Sequence, residues 1–208
     1  MAQKRMAAEQ RKRSIIEATI RVVARMNYDS ATTALIAKEA GINEALIYKH
    51  FKNKQELHLA VLDYLLEYRL RIYATNPVFQ ERNKDQSIIK ALNAQYLERI
   101  QSPDVDMFSC ILKAFFAIDP KIREKGWAFS KAFHEFIKRN LIEDKKRGFF
   151  NGSFDPEVVA WEIQGTIILI STLAVIDRLD AFGIQNIKKS QQYFEALFMH
   201  KKPKTRRK

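Results

Sequence analysis

Few residues in this chain are arranged for covalent chemistry. His134-Glu135 opens a string of the HExxH kind, in which two histidines on one helix face would hold zinc. Position 138 is Lys, however, so the second ligand is missing. Cys110 is the single cysteine; it excludes an internal disulfide framework and a multi-cysteine zinc site and fits a reducing compartment. The sequence holds no G-x-S-x-G elbow and no glycine loop that would cradle a phosphate. The expectation is a protein that is not an enzyme and needs no cofactor or metal.

Residues 33–54 are better suited to recognition than to catalysis. Two short helices, 33–40 and 44–50, are expected on either side of Gly41-Ile42-Asn43. A helix-turn-helix needs a small residue at the crossing, a turn residue that tolerates positive φ, and an apolar plug on the second helix. Ala37, Gly41 and Ile47 meet those needs, although a plain helical hairpin shares the spacing. Thr33 is expected to cap the first helix and Asn43 the second. The second helix would then turn Glu44, Ala45, Tyr48 and Lys49 outward. Lys49 suits guanine O6 and N7, Glu44 the cytosine amino group, and Ala45 or Leu46 a thymine methyl. Thr33 and Lys54, each at a helix start, suit phosphate.

The charge distribution points to the same end of the chain. The 208 residues carry a formal net charge of +12. Residues 1–60 contribute +5 and the tail KKPKTRRK, 201–208, contributes +6, whereas 61–200 are nearly neutral. A polyanion would therefore meet the first 60 residues or the tail. The tail reads more simply as a disordered, solubilising end. A peripheral helical adaptor that binds acidic membrane surfaces or a protein partner fits the same basic ends.

The elements that position these residues are helical throughout. With 47% hydrophobic residues but 6 Gly and 5 Pro, the chain has a globular core and too little turn chemistry for an all-β fold. Ile15, Ile16, Ile20, Val23 and Met26 form one apolar stripe; Leu57, Val61, Leu65, Tyr68 and Ile72 form another. About nine helices are expected, at 10–26, 33–40, 44–50, 54–75, 85–101, 104–117, 120–147, 156–182 and 184–200. Asn53, Asp119-Pro120 and Asp155-Pro156 supply start signals. The stretch Ile163–Ile176 is interrupted by Gln164, Ser171 and Thr172, too short and too polar for a membrane span, and reads as a helix covered on both sides. The N-terminus has no apolar run after its charges, so a secretory signal is not expected and a cytoplasmic location is.

From Arg13 to Leu57 the sequence resembles the N-terminal domain of the TetR family of bacterial transcriptional regulators. The resemblance rests on Ile16, Ala18, Tyr28, Thr32-Thr33, Ile36-Ala37, Ala40-Gly41-Ile42, Tyr48, His50-Phe51 and Lys54-x-Glu56-Leu57, matched in register without a gap. Asn27, Asn43 and Ala45 depart from the usual pattern. The resemblance implies an all-α fold with a DNA-binding domain over 1–53, a regulatory and dimerisation domain over 54–200, and the basic tail. It implies DNA contacts at Thr33, Asn43, Glu44, Ala45, Tyr48, Lys49, His50 and Lys54, with Tyr48 and His50 on phosphates. It further implies a homodimer on a palindromic DNA operator, formed through the last two helices with Ile187, Phe194, Leu197 and Phe198. A small apolar or amphipathic effector would sit among helices 5 to 8, near Tyr96, Phe115, Trp127, Phe129, His134 and Gln164. Repression, relieved by that effector, is the function the resemblance implies.

Overall fold

The computed structural model describes residues 2–75, 87–99, 105–150 and 154–178, with isolated positions 185, 186, 188, 189, 192 and 196 beyond them. Every regular element among these is a helix: α1 (Ala2–Arg25), α2 (Thr33–Ala40), α3 (Glu44–Tyr48), α4 (Lys54–Thr75), α5 (Ile88–Arg99), α6 (Val105–Ala114), α7 (Pro120–Lys146) and α8 (Pro156–Val175). Of the expected 184–200 helix only those six isolated positions are described, each helical; the four dimer residues Ile187, Phe194, Leu197 and Phe198 and the 201–208 tail lie outside the described residues.

Several boundaries differ from the sequence expectation. α1 starts at Ala2, not residue 10, and ends at Arg25. Met26 therefore leaves the buried stripe and is exposed. α3 stops at Tyr48, because Lys49 and His50 close it with tight turns onto Leu46 and Ile47. α8 stops at Val175, where Ile176 and Asp177 form a turn and Asp177 takes a positive φ.

The chain forms two compact units: Met1–Ala74 with Ser102–Lys131, and Thr75–Gln101 with Ala132–Lys208. The core of the first unit joins α1 (Ile15, Ile20, Val23), α2 and α3 (Ile36, Ile47), and α4 (Leu57, Val61, Leu65) to Cys110, Ala114 and Phe129. α6 also completes the end of α1. The last carbonyls of a helix have no partner of their own and attract positive charge. Here Lys113 Nζ donates to Val23 O (3.2 Å) and Ala24 O, Ser109 donates to Ala24 O (3.3 Å), and Cys110 Sγ to Ile20 O (3.3 Å). α7 can lie close to α6 because residue 126 is glycine: a Cβ there would stand 2.9 Å from Ala114 Cβ.

In the second unit the buried Asp144 carboxylate accepts the Ile88 N–H (2.5 Å) at the start of α5 and pairs with Arg147 (3.2 Å). α8 is the one described helix long and apolar enough to cross a membrane, but it buries a stripe of Val159, Ala160, Ile163, Gln164, Ile170 and Ser171 within the fold.

The turn between α2 and α3 is the most demanding backbone in the first unit. Gly41 has φ +65° and ψ 36°; its N–H reaches Lys38 O (3.2 Å), and the Ile42 N–H reaches Ala37 O (3.0 Å). A Cβ at Gly41 would meet no atom within 4 Å, so its cost there is the left-handed conformation alone. Gly41→Ala is expected to lower unfolding stability by about 1–2 kcal/mol, with an unchanged helical circular dichroism spectrum. Chemical denaturation checks this, and an unchanged midpoint would contradict it.

Candidate nucleic-acid interface

The site is built from two caps and one plug. Thr32, not Thr33, caps α2: its side chain accepts the Leu35 N–H (3.2 Å) from an extended backbone. Thr33 is instead the first helical residue, and it is buried. The two neighbours carry the same cap chemistry, and the helical phase decides which of them turns outward. Asn43 caps α3 as expected, its Oδ1 accepting the Ala45 N–H (2.8 Å). Ile47 is fully buried and anchors α3 to the core.

With Ile47 inward, Ala45, Tyr48 and Lys49 are exposed on the other side, while Glu44, Leu46 and His50 are half-buried. The Thr33 hydroxyl ties the two helices together: it donates to the Glu44 carboxylate and lies 3.0 Å from the Tyr48 hydroxyl. Thr33 and Glu44 thus act first on each other and on the posture of Tyr48, which is 50% exposed. Two positive side chains on α1 share one carboxylate. Arg21 (2.7 Å) and Arg25 both reach Glu39 on α2, and their hydrogen bonds hold that carboxyl below its ordinary value.

Lys54 starts α4 behind a well-made cap. Asn53 Oδ1 accepts the Glu56 N–H (2.8 Å), and the Glu56 carboxylate reaches back to the Lys52 N–H (2.8 Å), one residue beyond the N-cap N–H of a reciprocal capping box. The Lys54 ammonium donates to Asp29 O (2.8 Å), and partial burial lowers its pKa. Behind it His58 is buried with its ring edge-on to Tyr28, centroids 5.1 Å apart. Neither His58 nor this neighbourhood is recognisable from sequence; Tyr28 is among the residues that carry the resemblance, but its contact with α4 depends on the fold.

The six expected effector-site residues are divided. Phe115, Trp127 and Phe129 belong to the first unit: Phe129 is part of its core, Phe115 is half-buried at the end of α6, and Trp127 is 51% exposed. His134 and Gln164 are both buried in the second unit. His134 Nε2 lies 3.0 Å from Glu157 and its ring stacks on Trp161 at 4.1 Å. Glu135 stands in the same cluster, and Lys138 bridges Glu135 (2.8 Å) and Glu157 (2.9 Å). The Tyr96 side chain lies outside the described residues.

Burial pushes the His58 pKa down from 6.5 to about 4; Lys54 adds to the shift and Asp119 opposes it. An unfolded chain therefore takes up a proton here that the folded chain refuses, so stability is lost as pH falls from 6.5 toward 4. The full difference corresponds to at most ~3 kcal/mol. His58→Leu is expected to flatten the fall in melting temperature between pH 7 and pH 5. Equal slopes for the two proteins would contradict the assignment.

Comparisons with known proteins agree with this geometry. No curated protein matches the chain. Its fold is similar to that of reduced E. coli NemR (TM-score 0.74, 10% identity, covering 93% of this chain and 100% of that one). It is also similar to the fatty acid degradation regulator FadR from Bacillus halodurans (0.70, 21%, 89% and 94%) and to the regulatory protein TetR from Rhodobacter sphaeroides (0.69, 16%, 90% and 98%). Residues 15–61 match the family model for bacterial regulatory proteins of the tetR family, and these residues span α2, α3 and their turn. Residues 15–61 are thus similar to the tetR family of bacterial regulatory proteins over the helix-turn-helix, and the all-α fold of the described residues is that of these solved regulators.

Proposed function

We propose that this protein is a cytoplasmic repressor that binds a palindromic operator as a homodimer and is released by a small ligand held in its C-terminal region. The observation that carries the reading is the outward face of α3. Ala45, Tyr48 and Lys49 stand exposed on a helix whose opposite side is locked by Ile47. A helix offered in this way fits the major groove, where Lys49 donates to guanine and Ala45 meets a thymine methyl. Thr33, Asn43, Glu44, Tyr48, His50 and Lys54 serve the same contact. Tyr48, His50 and Lys54 fix register on phosphates; Thr33, Asn43 and Glu44 hold the helix and its start.

Two copies are needed because one short helix reads only a few base pairs. α8 supports pairing: Val158, Trp161, Ile168 and Leu169 are exposed on it, and Ile176 just after it, beside its buried stripe. Ile187, Phe194, Leu197 and Phe198 would extend that surface. For the effector we retain Tyr96, Phe115, Trp127, Phe129, His134 and Gln164, with His134 and Gln164 the best supported because both are polar and buried. α4 connects the two functions, since Lys54 lies at one end and Thr75 twenty-one residues later at the other. A ligand that prefers the state with α4 displaced would spoil the spacing of the paired recognition helices. Its effect is limited to its differential affinity for the two states, typically ~1–3 kcal/mol.

Lys54→Ala is expected to weaken binding to every DNA about equally and to reduce the salt slope by about 1. Lys49→Ala is expected also to relax the preference for one base pair, by ~1–3 kcal/mol. Titrations of selected and scrambled duplexes over a salt series read both effects. A Lys54→Ala protein with wild-type affinity at all salt concentrations would contradict the phosphate role.

A further inference from the structure

A cleft of about 550 Å³ lies within the first unit, lined by Tyr28 and Asp29 after α1, by Lys54, Gln55 and His58 of α4, and by the start of α7 around Asp119. Its acceptors are engaged. Asp119 takes the Gln55 amide (2.6 Å) and the Lys121 N–H (2.9 Å), the two carboxylate oxygens of Asp29 take the Ile118 N–H (3.1 Å each), and Asp29 O takes Lys54. Its donors are not. The Tyr28 hydroxyl and His58 Nε2 have no hydrogen-bond partner, though both residues are 1% exposed. Two buried polar groups left unpaired side by side are costly and call for a ligand or ordered water.

The electrostatics select the ligand. Lys54 has three N–H donors, and one is used by Asp29 O. The first turns of α4 and α7, at Lys54-Gln55 and Pro120-Lys121, both open on the cleft, the α7 end with the Asp119 carboxylate already on its first N–H groups. Asp29 and Asp119 keep their negative charges, with their oxygens turned to backbone and amide N–H groups. We propose that this cleft binds a small oxyanion, a carboxylate or inorganic phosphate, through Lys54 Nζ, the Tyr28 hydroxyl and His58 Nε2–H. Both buried atoms are shielded from solvent as the side chains stand, and entry requires lining side chains to part. This site differs from the effector site proposed above: apart from α7, whose first turn alone reaches the cleft, it shares no helix with His134 and Gln164.

One consequence rests on the proposed function: an anion that holds Lys54 withdraws it from the DNA backbone. Binding itself is tested without DNA, so the two readings fail separately. The full-length protein is titrated with sodium acetate and, separately, with sodium phosphate, against sodium chloride at matched ionic strength and constant pH. The ring ¹⁵N and ¹H signals of His58 are followed by NMR. At least one oxyanion is expected to shift the His58 signals to saturation where chloride does not. Tyr28→Phe, which removes one hydroxyl from an unchanged ring, is expected to weaken that binding roughly tenfold or more. No saturable shift with either anion, as for a cleft holding only water, would overturn the proposal. So would a Tyr28→Phe protein that binds as tightly as wild type.

Discussion

The left-handed turn at Gly41 fixes the angle at which α3 leaves α2, and the recognition surface depends on that angle. One residue at φ +65° lets the chain reverse while the carbonyls of Ala37 and Lys38 still find N–H partners. Asn43 then starts α3 at once, so only two residues separate the turn glycine from a new helix. Ile47 can reach the core only from that starting point. When it does, helical geometry leaves Ala45, Tyr48 and Lys49 on the far side. The exposure of the reading face is thus a consequence of burying one isoleucine.

A five-residue helix does not hold such a posture alone. Support comes from distant parts of the chain. α6 closes the carbonyl end of α1 with Lys113, Ser109 and Cys110, across sequence separations of 85 to 90 residues. Asp29, in the loop that leads to α2, accepts the Ile118 N–H, and Gln55 of α4 is bound to Asp119. The loop before α2 and the start of α4 are therefore both anchored to the segment between α6 and α7. A change in that segment would reach both ends of the helix-turn-helix, and the proposed ligand control of DNA binding would use that connection.

What was legible in the sequence was local. Gly41, Asn43 and Asp155-Pro156 act within a few residues of themselves, so their roles follow from chemistry and spacing. Thr32 and Thr33 show the limit: either hydroxyl could cap α2, and the helix phase gives the cap to Thr32 and the contact with Glu44 and Tyr48 to Thr33. The aromatics of the body were harder still. Trp127 and Phe129 are two residues apart on α7, yet one is half exposed and the other lies in the core. Periodicity cannot say which face meets a partner until the partner is placed. The Tyr28–His58 contact was illegible for the same reason, since it joins a loop and a helix thirty residues apart.

The central claim is that α3 enters a major groove, twice, from a symmetric pair. Guanine N7 methylation interference on a duplex selected by the protein from random sequence tests it most directly. The account predicts two patches of interference related by two-fold symmetry, on one face of the duplex and centred an integral number of helical turns apart, ~10 base pairs for each turn. A single patch, interference confined to minor-groove adenines, or binding indifferent to guanine methylation would contradict it.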